Sequence, residues 1–115
     1  MNKTKFSKYN DGVVFLYTEK EKRSTFAAKE NASALDDLNF VIKLAYEQAA
    51  KRQEDVEFAE QIGFALSLKV KTRFIPSVNN KYKAVINKYL YDVKYVDDDR
   101  KEMWLYLEGV RSLAT

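Results

Sequence analysis

Apolar and polar residues alternate along much of this chain with a period of two. Over residues 64–75, Phe64, Leu66, Leu68, Val70 and Thr72 fall on one side of an extended backbone and Ser67, Lys69, Lys71 and Arg73 on the other. This is the pattern of a strand with one buried face, and Pro76 ends it. Over 89–96, Tyr89, Tyr91, Val93 and Tyr95 alternate with Leu90, Asp92, Lys94 and Val96; Met103, Leu105, Leu107 and Gly109 then alternate with Trp104, Tyr106, Glu108 and Val110. Both runs are rich in aromatic and β-branched residues, which suit a pleated surface, and the short polar link between them predicts a hairpin. A first strand over 13–18 follows the turn-like Asn10-Asp11-Gly12, with Val13, Phe15 and Tyr17 on one face. A short strand over 83–87 leads into a tight connection at Asn87-Lys88.

Two segments break the pattern. Over 38–48, Phe40, Ile42, Leu44 and Tyr46 alternate as in a strand, yet Ser33-Ala34-Leu35-Asp36 resembles a capping box and Ala45, Ala49 and Ala50 favour helix. Strand and helix both stay open there, with strand slightly ahead. Residues 50–62 read as a short helix with an apolar stripe of Val56, Ala59 and Ile62 among charged neighbours, stopped by Gly63. The 18–33 stretch is charged and aperiodic and reads as a long loop. The first ten residues are expected to be flexible. The sum is one mainly β domain over 1–115. Its body, 12–110, is a small antiparallel β-barrel of about six strands, with one short helix or long loop inserted before a long third strand.

Composition narrows the chemistry. Among 115 residues there is no cysteine and no histidine, so thiol chemistry, disulfides and imidazole general bases or metal ligands are excluded. With no paired-carboxylate, nucleophile-elbow or Gly-rich phosphate motif, the sequence argues against an enzyme and implies no cofactor and no metal. No apolar run is long enough for a signal peptide or a membrane span, so assembly in the cytoplasm is expected. Eight tyrosines and seven phenylalanines exceed what so small a core hides, and part of them is expected in a subunit interface.

Asp97-Asp98-Asp99 raises the question of a cation site. A calcium loop needs acidic residues at alternate positions, a glycine at its sixth and a glutamate at its twelfth. Consecutive aspartates followed by Arg100 and Lys101 fit instead a turn whose carboxylates accept backbone N–H groups. Charge is otherwise segregated: residues 35–60 carry seven acidic and three basic side chains, whereas residues 61–91 carry six basic and none acidic. Lys69, Lys71 and Arg73 form a positive stripe on one strand face, suited to phosphate or to an acidic segment of a neighbouring copy, or simply a solvated outer face.

The second half, LKVKTRFIPSVNNKYKAVINKYLYDVKYVDDDRKEMWLYLEGV, resembles the C-terminal half of the head-closure, or stopper, proteins of long-tailed bacteriophages. There, as here, a strand ending in an Arg-aromatic pair (Arg73-Phe74) leads through a loop to a short strand at 83–86. A Tyr-Asp-Val strand (Tyr91-Asp92-Val93), a polar turn and a Leu/Tyr-rich closing strand follow. Gly12-Val13 stands where the family has its first strand, and Tyr46 where it usually has a tryptophan. The resemblance covers 12–110 and is most specific over 68–110.

It implies a virion protein, from an active phage or a prophage, that assembles in the host cytoplasm as a homo-oligomeric ring. The ring sits between a portal or adaptor ring on the head side and a tail or tail-completion protein on the other. It closes the exit channel over double-stranded DNA without reading its sequence, and meets no membrane. The segment between the second and third strands is the implied gate, with Gln53, Glu54, Asp55, Val56, Glu57, Phe58 and Glu60 toward the channel; Lys69, Lys71 and Arg73 are the implied subunit or phosphate contact. As a polar insertion, 48–62 is expected to be dispensable for folding. The competing expectation is a small-barrel nucleic-acid-binding module using the same three cations, with Tyr82, Tyr89 or Tyr91 as stacking platforms.

Overall fold

The computed structural model describes residues 9–20 and 38–113. Its elements, in chain order, are β1 (Gly12–Glu19), β2 (Leu38–Ala49), α1 (Gln53–Ile62), β3 (Leu68–Arg73), β4 (Lys83–Ile86), β5 (Tyr89–Asp98) and β6 (Glu102–Ser112). The strands close in the order β1-β2-β3-β6-β5-β4, every neighbouring pair antiparallel, with β4 returning to β1. The mainly β class, the six antiparallel strands and the short helix before the third strand are thus observed. Most of the expected flexible start and most of the expected 18–33 loop lie outside the described residues.

Period-two alternation fills the barrel. Val14, Leu16, Leu44, Tyr46, Val70, Ala84, Ile86, Val93, Met103, Leu105 and Leu107 are buried in one cluster, each large aliphatic side chain contributing roughly 1.5–3 kcal/mol by leaving water. The chain between β3 and β4 stops one end: Val78 and Tyr82 are buried in that cluster, with Phe74 and Ile75 packed against it. Among the described residues, the only buried polar or charged ones are Thr72, Asp55 and Lys69. Thr72 is satisfied locally, its hydroxyl donating to the Arg73 carbonyl at 2.9 Å.

Several expectations change in detail. The third strand begins at Leu68 and has six residues. Phe64 and Leu66 therefore do not line the barrel; they belong to an outer cluster with Ala59 and Tyr106. The ambiguous 38–48 segment is strand, the twelve-residue β2. Its register against β1 shifts between Leu16 and Tyr17, so that Leu16 faces Ile42 and Tyr17 faces Phe40. Val41 is the extra residue of this bulge, and it turns Phe40 to the outside while Leu44 and Tyr46 stay in the core. In β1 it is Val14 and Leu16 that are buried, with Val13 and Phe15 outward.

The aspartates form the predicted turn, with Asp97 and Asp98 ending β5. Asp99 accepts the N–H groups of Lys101 and Glu102 at 2.9 and 2.8 Å, and Asp98 accepts that of Arg100 at 3.1 Å. The Glu102 and Lys101 N–H groups hold the Asp99 carboxyl below the usual aspartate range. At the β4–β5 connection, Asn87 and Lys88 have φ of 52° and 64°, the left-handed pair a two-residue hairpin turn requires.

Gly12 carries a real conformational demand. Its φ is 147°, and a Cβ there would lie 3.0 Å from the buried Tyr46 ring. Asp11 ties the same corner to β2, its N–H donating to the Tyr46 carbonyl at 2.9 Å and its carboxylate accepting the Gln48 N–H at 2.7 Å. Gly12→Ala is expected to lower stability by about 1–3 kcal/mol, read as a lower urea midpoint at unchanged slope. A midpoint equal to wild type would show that this corner relaxes freely.

Candidate functional site

Among the described residues α1 is the one element outside the barrel, and one charged side chain aims it. Helical spacing places Asp55, Phe58, Ala59 and Ile62 on one side, and Asp55 and Ala59 are buried against β3 and β6. The Asp55 carboxylate accepts from Lys69 Nζ of β3 at 3.0 Å and from the Tyr106 hydroxyl of β6 at 3.4 Å. It also accepts the Arg52 backbone N–H at 3.0 Å, so the same side chain that docks α1 caps its N-terminus. Lys69 Nζ lies 5.0 Å from the centre of the Tyr106 ring. Around this group Phe58 packs edge-on to Tyr95 and Tyr106 at 4.8 and 6.0 Å. Gly63, at φ 98°, ends the helix. The Phe64 and Gly63 N–H groups donate to the Ala59 and Glu60 carbonyls at 2.9 and 3.2 Å, a Schellman closure that folds Phe64 against Ala59.

The electrostatics follow from this burial. Desolvation alone would raise the Asp55 carboxyl, but the Arg52 N–H, the hydrogen bond and charge of Lys69 and the Arg52 guanidinium outweigh it and hold Asp55 below the ordinary aspartate value. For Tyr106, burial first, then the negative charges of Asp55 and Asp97, push the phenol up to about 12.

The expected gate residues therefore divide. Asp55 is buried against the barrel and Phe58 half-buried there, while Gln53, Glu54, Glu57 and Glu60 are exposed and Val56 is half-buried. The helix is part of the fold, which corrects the expectation that 48–62 is dispensable: removing it would strip Lys69 of its counter-charge and uncover Phe64 and Tyr106. The three expected cations do not form a continuous stripe either. Lys69 is buried in its pair with Asp55, and Lys71 lies 3.2 Å from Glu47 and 3.8 Å from Glu102; Arg73 alone of the three is exposed. Among the expected stacking rings Tyr82 is buried in the core and Tyr91 half-buried against it, leaving Tyr89 exposed.

On the other side, the β1–β2 wall bears no helix. Val13, Phe15, Phe40 and Val41 stand exposed there, Phe40 at 55% the most exposed large apolar side chain among the described residues. Phe40 is braced by Tyr17 and Phe15, with ring centres 5.6 and 6.3 Å away, and Lys43 sits directly across from Phe15. Sequence reasoning missed this wall and the Asp55–Lys69 pair. The pair had a signal: Phe58, the largest apolar residue of α1, belongs to the stripe containing Asp55, not to the one containing Val56. Among the described residues no group of three or more acidic side chains could hold a metal ion, and no helix is long and apolar enough to cross a membrane. Comparison with models of known protein families finds no match, and neither does comparison with curated proteins.

Removing one partner of a buried ion pair leaves the other charge stranded, so Asp55→Ala and Lys69→Ala are each expected to cost about 3–5 kcal/mol. The double variant Asp55→Leu/Lys69→Met should be closer to wild type than either, as measured by urea unfolding. The pH dependence has a definite sign. The Asp55 contribution is present above the ordinary aspartate value of about 3.9 and is lost as pH falls through the lower folded value; Asp55→Asn should flatten that acid limb. The Tyr106 contribution is complete below about 10 and is lost as pH rises toward 12, because only the unfolded phenol ionises readily over that window. Tyr106→Phe should remove that part of the alkaline limb.

Proposed function

We propose that the chain is a structural connector of a long-tailed phage or prophage, a ring at the head–tail interface that closes the DNA exit channel and offers the tail its attachment surface. One observation carries the reading: a closed barrel leaves four apolar side chains, Val13, Phe15, Phe40 and Val41, exposed on adjoining strands. A contiguous apolar face of this kind marks an interaction surface. The resemblance of 68–110 to head-closure proteins supplies the identity of the assembly, with a portal or adaptor ring above and a tail or tail-completion protein below.

The charge arrangement supports the same reading over a nucleic-acid-binding module. Lys69 and Lys71 are engaged by carboxylates of their own chain, which removes two of the three cations a phosphate-tracking groove would use. The outward residues Gln53, Glu54 and Glu57 give α1 an acidic surface, and acidic groups facing a channel repel phosphate, so that DNA can slide without sticking. In this form the gate is a helix fixed to the barrel wall.

The test is genetic and biochemical. Heads assembled without this protein should spill their DNA before tail joining, measured as nuclease-sensitive DNA in tailless particles, and adding purified protein should restore protection. Glu54→Lys/Glu57→Lys protein should still assemble and protect, yet slow DNA exit at low salt. If heads without the protein retain their DNA and accept tails normally, the connector reading is wrong. Tight, salt-sensitive binding of a monomer to an oligonucleotide would instead establish the module.

A further inference from the structure

Where α1 ends, the outer face of the barrel is indented. Val56, Glu60, Gly63, Phe64, Ala65 and Leu66, with Glu108 of β6, line an open groove of about 430 Å³. Its floor is apolar and two carboxylates stand at its edge. Glu60 is exposed, and Glu108 lies 3.4 Å from the Ala65 N–H and 3.8 Å from Lys94. The opposite wall carries the complementary charge: the Phe40 ring projects, braced by Phe15 and Tyr17, and Lys43, on the same strand as Phe40 and across from Phe15, is exposed and without an ion pair among the described residues. In the closed order β1-β2-β3-β6-β5-β4, β6 lies three places from β1 and β5 three places from β2. Projection and groove therefore sit on opposing walls.

We infer that a second copy of this chain docks Phe40 into this groove, with its Lys43 against Glu60 and Glu108. This deepens the connector reading and rests on it for the closed ring. The occupant is a second copy because the two walls are complementary: a projecting ring and a cation unpaired among the described residues on one, an apolar hollow rimmed by carboxylates on the other. Bracing by two neighbouring rings fixes the Phe40 side chain before contact, which lowers the entropy lost on docking, and an aromatic anchor in a pocket is the usual centre of binding energy. A contact that joins two different faces of one molecule is head-to-tail, and repeating it produces a ring when the rotation closes.

The experiment uses the full chain and sedimentation equilibrium over rising concentration. Wild type should assemble beyond dimers. Phe40→Ser removes the projection and Ala65→Arg fills the groove; both sites are exposed, so thermal midpoints should stay near wild type. Each variant alone should weaken self-association at least about tenfold. Mixed one to one, they should form dimers and stop there, because only one competent projection and one competent groove remain per pair. Lys43→Glu and Glu60→Lys should each weaken assembly alone and assemble when mixed. Wild type that assembles while all four variants assemble equally well would overturn the contact and leave the connector reading standing. Wild type that stays monomeric at every concentration would overturn the contact too, and the DNA-retention assay would then decide the connector reading by itself.

Discussion

The buried pair of Asp55 and Lys69 is the constraint around which the outside of this barrel is organised. A ten-residue helix does not hold its shape in water unaided, and α1 offers the barrel only Phe58 and Ala59 as substantial apolar contacts. Two charges taken out of water cost several kcal/mol each, so they must be matched closely. Asp55 meets this with the Lys69 ammonium, the Tyr106 hydroxyl and the helix's own first N–H. The reward is directional: a greasy contact would let α1 slide or rotate on the wall, whereas two hydrogen bonds from the barrel, from Lys69 and Tyr106, to one carboxylate fix its position. The groove at the helix end depends on that placement, since Val56, Glu60 and Gly63 form one side of it and β6 the other.

The result is a molecule with two unlike walls. The β3-β6-β5 side is covered by helix and aromatic rings and shows carboxylates to the outside; the β1–β2 side shows phenyl rings and a lysine. An even net charge distribution would favour neither end over the other in an encounter. Here the segregation visible in the composition, acidic in 35–60 and basic in 61–91, is partly neutralised inside the chain, because Lys69 and Lys71 meet Asp55 and Glu47. What is left at the surface is a smaller, sharper polarity.

Alternation made the barrel legible in the sequence: residues that pair across a strand and point inward must repeat every second position, and β5 and β6 do so except at their bulges. The hairpin turn at 99–101 was legible because short carboxylates next to backbone N–H groups have few other uses there. Three things were hidden. The bulge at Val41 reverses the phase within β2, which no local pattern announces, so alternation alone groups Phe40 with Leu44 and Tyr46. Leu66 and Phe64 continue the alternation of β3 beyond its real start, because a residue packing under a helix on the outside of a barrel is as apolar as one inside. Lys69 looked like surface charge for a related reason, since its partner lies fourteen residues away on another element.

The closure of the barrel is uneven, and this has a mechanical meaning. β1 and β2 face each other over eight residue pairs and β5 and β6 over nine, but β2 joins β3 through only three and β1 joins β4 through only three. The β1–β2 hairpin is thus a flap held along both margins by short seams, and local opening follows such seams because few hydrogen bonds must break there. A partner that grips this flap from outside would stitch both seams shut together, coupling assembly to the rigidity of the subunit's interior.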